Sequence, residues 1–182
     1  MNPVKGTVVG VGDCAVINDT AGSLVTYALG SCIGLALYDP IRHVGGLLHY
    51  MLPECTMDHK KASRNPYMFA DTGIPMMLHR CQELGALKSR LMVWAAGGAQ
   101  VMDEQGFFNI GKRNYVSLRK VLWKCGLMLL AEHIGGSTCR TVRLDLASGR
   151  FWIRVPGETE VELRSQRKSS GGILNAVQPV NR

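Results

Sequence analysis

No apolar run in the 182-residue chain approaches the roughly 20 residues that a bilayer-spanning helix needs, and the N-terminus lacks a basic-then-apolar leader. Both absences lead to the expectation of a cytoplasmic protein with no membrane insertion. The six cysteines form no C-x-x-C pair; Cys14, Cys32, Cys55, Cys81, Cys125 and Cys139 are scattered, mostly inside apolar segments. That spacing excludes a small disulfide scaffold and predicts free thiols. Cys55 with His59 is the one close Cys/His couple, half of what structural zinc takes, so neither metal nor cofactor is expected. Acids are scarce, 14 against 21 cations, giving a net charge of +7. Several cations lie in the tail (Arg164, Arg167, Lys168, Arg182), and the others read as dispersed rather than gathered in a stripe with aromatics. A solvated basic face is therefore expected, not a nucleic-acid surface.

Two glycine-rich stretches lack the context that would make them nucleotide sites. Gly10-Val11-Gly12-Asp13-Cys14-Ala15 superficially fits a dinucleotide fingerprint, but Asn18-Asp19-Thr20-Ala21-Gly22 reads as a turn where a helix has to follow. Gly97-Gly98-Ala99 has no Lys-Ser/Thr partner of a P-loop. No internal repeat is visible.

What is present is one ordinary domain, 46% hydrophobic, expected over residues 1–163. Beyond Leu163 the chain turns polar and Gly/Ser-rich, and residues 164–182 are expected to form a disordered tail. Residues 5–16 read as an opening strand with a glycine interruption. Ile33 to Tyr38 and Val44 to His49 read as two strands around an Asp39-Pro40 turn. A polar loop runs from Leu52 to Lys61. Apolar residues from Tyr67 to Leu84 recur at helical spacing, so a helix is predicted from Pro66 to about Leu84, ended by Gly85 and started late or kinked by Pro75. Leu91 to Ala96 is apolar throughout and reads as a buried strand. A second helix is predicted over Tyr115 to Lys124 with Asn114 as its N-cap. Strands at Leu127–His133, Thr141–Leu146 and Phe151–Val155 close the chain. The fold class is α/β, mostly antiparallel strands with two main helices on one face, in layers.

The stretch with chemical content is the predicted hairpin. Cys32 stands just before its first strand and His49 ends its second, so both belong to the same end of the sheet. A free thiol is mostly protonated at neutral pH, and an adjacent imidazole lowers its pKa and stores the proton for a leaving group. Thr26 is a candidate to orient the imidazole or bind substrate, and the backbone N–H groups of Ser31 and Cys32, with Gly30 relaxing the chain before them, are candidates for an oxyanion hole. His43 and His59 are alternative bases, but one sits in the turn and the other in the loop.

Leu29-Gly30-Ser31-Cys32 before an apolar strand, Asp39-Pro40, Gly45-Gly46-Leu47-Leu48-His49 and Met51-Leu52-Pro53 together resemble CheD, the chemoreceptor glutamine deamidase family. Phe108-Asn109-Ile110-Gly111-Lys112-Arg113-Asn114 is similar to the segment that follows Gly-Gly-Ala in that family. The resemblance spans about residues 5–160. It implies an α/β/β sandwich, a Cys32 and His49 catalytic dyad with Thr26 as third residue, and Arg113 and Asn114 as site-shaping. It also implies deamidation of glutamines on the cytoplasmic helices of methyl-accepting chemotaxis receptors, which are acidic enough for the basic excess to steer docking. A role as adaptor of a CheC-type phosphatase, or as a thiol amidase on another protein, are the alternatives. One departure is Cys139, where the family has glycine in the Gly135-Gly136 turn; a positive φ there would strain the backbone.

Overall fold

The computed structural model describes residues 6–101 and 109–165. In chain order its elements are β1 (Gly6–Val8), β2 (Asp13–Asn18), β3 (Ser23–Leu29), β4 (Ile33–Asp39), β5 (Val44–Tyr50), α1 (His59–Arg64), α2 (Ala70–Glu83), β6 (Met92–Gly97), α3 (Ile110–Cys125), β7 (Ala131–Ile134), β8 (Arg140–Asp145), β9 (Arg150–Arg154) and β10 (Val161–Glu162). They form two five-stranded sheets, β1-β3-β8-β9-β10 and β2-β5-β4-β6-β7. Only β1 with β3 and β6 with β7 pair in parallel among the described strands. Helices α2 and α3 cover the outer face of the second sheet, so the architecture is an α/β/β sandwich.

Strand alternation explains the two cores. In β4, Leu35 and Leu37 face the helices and join Leu48, Ile74, Met77 and Leu118. Ala36 and Tyr38 face the other sheet and join Leu24, Leu47, Val142 and Phe151. With both faces covered, β4 and β5 carry no exposed residue, which is why they read as unbroken apolar runs. The hairpin turn is built by one carboxylate. Asp39 accepts from the amides of Ile41 and Arg42, reaches across to the amide of Leu87, and pairs with Arg90 at 2.7 Å.

Several boundaries differ from the expectations. The predicted helix start at Pro66 is a separate 3-10 turn, Pro66–Met68, and regular helix begins at Ala70 with Pro75 inside it. The predicted loop over residues 52–61 holds a 3-10 turn, Cys55–Met57, and the start of α1, which Asp58 caps by accepting from the Lys61 amide. The opening strand is two strands in different sheets, divided at Gly12 with its positive φ. Cys139 has no positive φ, so the strain anticipated there is absent. No helix among the described residues is long and apolar enough to cross a membrane. Apart from Arg164 and Ser165, the expected tail lies outside the described residues.

Candidate active site

The segment Gly30-Ser31-Cys32 is held by its carbonyls. The amides of Ala99 and Gly98 donate to Gly30 O and Cys32 O, each at 2.8 Å, and the Asn114 side-chain amide donates to Ser31 O at 2.9 Å. Gly97 makes this approach possible: it takes φ +123°, and a Cβ at that position would collide with Cys32 O. With all three carbonyls engaged, the amide N–H groups of Ser31 and Cys32 make no backbone hydrogen bond among the described residues. The Cys32 amide faces its own Sγ, and both N–H groups are fixed donors of the kind a developing oxyanion needs.

On the same face of the sheet lies His49. It pairs with Gly34 across the β4–β5 ladder, so Cys32 is its diagonal neighbour, a relation that places backbones roughly 7–8 Å apart in a regular ladder. His49 is 1% exposed. Its Nδ1 lies 2.7 Å from Thr26 Oγ1, and that hydroxyl donates to Val9 O at 2.7 Å. A hydroxyl has one proton, so with Val9 taking it, Nδ1 is the donor of the second bond. The ring is thereby the Nδ1–H tautomer and its Nε2 carries the lone pair. Nε2 is buried and has no hydrogen-bond partner among the described residues.

Burial drives both ionisable groups towards neutrality. It pulls the His49 imidazole down to about 4. It also pushes the Cys32 thiol above its ordinary value, against a smaller opposing effect of the residue's own amide. The expectation of an imidazole-lowered thiol therefore does not describe the resting site: thiol and imidazole are both held neutral, and no hydrogen bond joins them among the described residues. Cys14 and Cys81, deeper still, are pushed up to about 12.

Cys32 opens onto a cleft of about 460 Å³. Its walls are the nucleophile segment, Ala28, Ala99 to Val101, the first turn of α3 (Ile110, Gly111) and Cys139. Ala28 adopts φ +56° at the irregularity in β3 between Thr26 and Leu29, re-aiming the strand beside the cleft. Gly111 lets α3 sit on the 98–99 backbone, since a Cβ would meet Gly98 O at 2.5 Å.

The remaining sequence-level candidates separate. Asn114 is not an N-cap: α3 starts at Ile110, and the fully buried Asn114 amide bridges Ser31 O and Met51 O, each at 2.9 Å. Arg113 is exposed and its guanidinium touches Met57 Sδ at 3.7 Å, away from the cleft. His43 pairs with the Tyr38 hydroxyl at the opposite end of the hairpin, and His59 opens α1 on the surface. Cys55 donates its amide to the Asp71 carboxylate, and among the described residues no three His, Cys, Asp or Glu side chains gather to hold a metal. Sequence reasoning missed Arg140. It is 3% exposed and donates to Gly97 O, His133 O and Gly135 O at 2.7, 3.1 and 2.6 Å. A cation opening an alternating strand after a glycine turn carries no signal of burial.

Residues 51–155 match the family described as CheD chemotactic sensory transduction. The chain is 52% identical to the probable chemoreceptor glutamine deamidase CheD of Solibacter usitatus over 165 residues, 91% of this chain and 97% of that protein. An alignment of that extent in a chain of 182 residues takes in Thr26, Cys32 and His49, which the family match itself does not reach. Identity is 46% over 150 residues to probable chemoreceptor glutamine deamidase CheD 1 of Syntrophus aciditrophicus, covering 82% of this chain and 94% of that one. The probable chemoreceptor glutamine deamidase CheD of Pyrococcus horikoshii is 40% identical over 160 residues, with 87% and 97% covered.

Proposed function

The chain belongs to the CheD family, and from that membership and the geometry of the cleft we propose that it is a cytoplasmic amide hydrolase converting glutamine side chains of methyl-accepting chemotaxis receptors to glutamate. The observation that carries the mechanism is the buried Nε2 of His49, without a hydrogen-bond partner among the described residues, on the face that bears Cys32, with Nδ1–H committed to Thr26.

The substrate carboxamide enters the cleft with its oxygen towards the Ser31 and Cys32 amides. As Cys32 Sγ bonds to the carboxamide carbon, Nε2 takes the thiol proton, so ionisation occurs during attack and not before it. The two amides receive the negative charge that moves onto oxygen. The imidazolium returns its proton to the departing nitrogen, the C–N bond breaks and ammonia leaves a thioester. Water then gives its proton to Nε2 while its oxygen attacks the same carbon; the C–S bond breaks, sulfur recovers the proton, and the side chain is released as glutamate. Thr26 orients the ring throughout, and Asn114 holds the Ser31 carbonyl so that the amides stay aimed. Residues 1–163 form the deamidase domain in this proposal, with 164–182 as a tail outside the chemistry. A CheC-type phosphatase is a further partner compatible with it.

The test is mass spectrometry of a receptor cytoplasmic fragment after incubation with wild type, Cys32→Ala and His49→Ala. Wild type is expected to replace glutamine amides by acids, and Cys32→Ala to leave every one intact. Conversion by Cys32→Ala at the wild-type rate refutes the mechanism. Backbone cleavage in place of deamidation makes the protein a peptidase.

A further inference from the structure

The outward face of α3 carries five cations, Lys112, Arg113, Arg119, Lys120 and Lys124, and no Asp or Glu occurs anywhere in the helix. Two large apolar side chains are interleaved, Val116 at 58% and Trp123 at 81% exposure. The dispersed charge expected from the sequence is thus partly gathered into a stripe with an aromatic. Within the stripe, Lys120 and Lys124 repel at i,i+4, and Lys112 and Arg113 oppose the helix dipole in the first turn. Only Lys120 among the five has an ion-pair partner among the described residues, Glu54 at 3.1 Å. An arrangement that disfavours the isolated helix calls for a partner of opposite charge.

Position narrows the partner. The N-terminal turn of α3, at Ile110 and Gly111, walls the cleft that exposes Cys32. From there its 16 residues run about 24 Å along the surface. Positions 112, 116, 119 and 123 fall on one ridge at helical repeat, which seats in the groove of a second helix. Carboxylates one turn apart on that helix meet the cations, and its apolar positions meet Val116 and Trp123. A phosphate backbone satisfies the charge but offers nothing to Val116.

We propose that the exposed face of α3 is a docking track for an acidic α-helical segment of the substrate, which delivers the target glutamine to the cleft at the helix's N-terminal end. The proposal rests on the deamidase reading for its substrate, and it adds a determinant of specificity outside the cleft. Trp123 anchors the far end and the cations set the register.

The experiment compares wild type with Lys112→Glu/Arg119→Glu and with a control of equal charge change at the opposite end of the sandwich, Arg42→Glu/Arg150→Glu. Deamidation of a receptor cytoplasmic fragment is followed at several salt concentrations. The track variant is expected to raise KM about ten-fold at low salt with kcat unchanged, and to lose most of the wild-type salt dependence. Trp123→Ala is expected to raise KM at every salt concentration. Equal KM values for the track and control variants overturn the proposal. Binding to a fluorescent glutamate-rich helical peptide and to a single-stranded oligonucleotide, read by anisotropy, separates this from the catalytic reading. If wild type deamidates nothing, the deamidase reading fails, yet peptide binding lost on charge reversal still supports the track. Binding of the oligonucleotide alone refutes it in favour of a nucleic-acid surface.

Discussion

His49 is held neutral by its surroundings, and this has a cost that depends on pH. In the unfolded chain its imidazole titrates near 6.5, whereas in the fold burial pulls it down to about 4. Between those values the unfolded state binds a proton that the native state refuses. The stability due to the neutral ring is therefore complete above pH 6.5 and declines as pH falls towards 4, by about 3 kcal/mol in all. Urea titrations across pH 7 to 4.5 should show this decline in wild type, and His49→Gln should show a shallower one. Equal slopes would mean that the ring takes up its proton in the native state as readily as in the unfolded one. The same two shifts shape reactivity. With Cys32 raised and His49 lowered, no group in the dyad changes charge near neutrality. Alkylation of Cys32 by iodoacetamide should climb steadily with pH to above 9, without the low-pH plateau of a preformed thiolate. A plateau near pH 6 would restore the ion-pair picture that the sequence alone suggests.

At the scale of elements, α3 is the brace of the nucleophile segment. Its backbone carbonyl at Asn114 receives the Tyr50 hydroxyl at 3.0 Å, its Ser117 hydroxyl donates to Pro53 O at 2.6 Å, and the Asn114 amide spans Ser31 and Met51. Asn114→Ala strips two carbonyls of their donor in a place with little access to water. It should destabilise the protein by about 2–4 kcal/mol, at about 2–4 °C of Tm per kcal/mol for a domain of this size. Scanning calorimetry measures that, and kcat should fall with it because Ser31 loses its restraint. An unchanged Tm with reduced kcat would instead place Asn114 in contact with substrate. This brace also shows which parts of the fold were legible in the sequence. The β4–β5 hairpin could be read because both its strands are buried on two faces and its turn carries Asp39, whose carboxylate does the turn's work. The start of α3 could not. Lys112, Arg113 and Asn114 look like a polar approach to a helix, but they are already its first turns, packed there because Gly111 admits the 98–99 backbone. Asn114 resembled a cap because capping and bridging need the same amide, and only the neighbouring carbonyls distinguish them.

For the molecule as a whole, the question is what keeps the two sheets together at the end where the cleft separates them. At the other end the hairpin turn is closed by Tyr38, whose hydroxyl donates to Leu146 O at 2.8 Å. At the cleft end the apolar interface stops at Leu29 and Val142, and Arg140 takes over. It belongs to β8 of the first sheet, while two of its acceptors, Gly97 and His133, belong to β6 and β7 of the second, with Gly135 in the turn beyond. Burial lowers its pKa from the usual guanidinium value, and no carboxylate among the described residues pairs with it. Three carbonyl dipoles hold the charge instead. One of these acceptors is Gly97, the residue whose missing Cβ clears the Cys32 carbonyl, so the staple between sheets and the seat of the nucleophile share a peptide unit. Arg140→Leu should leave those carbonyls bare and cost about 3–5 kcal/mol, lowering Tm by about 10 °C. Arg140→Lys, with a point charge where a planar fork is required, should recover less than half of that. Because the loss falls at the cleft, Cys32 in Arg140→Lys should alkylate at an altered rate well below the melting range, while a variant of equal Tm cost in the opposite core, Met77→Ala, should leave that rate unchanged. Equal alkylation rates in the two would reduce Arg140 to an ordinary contributor to stability, without a part in placing the thiol.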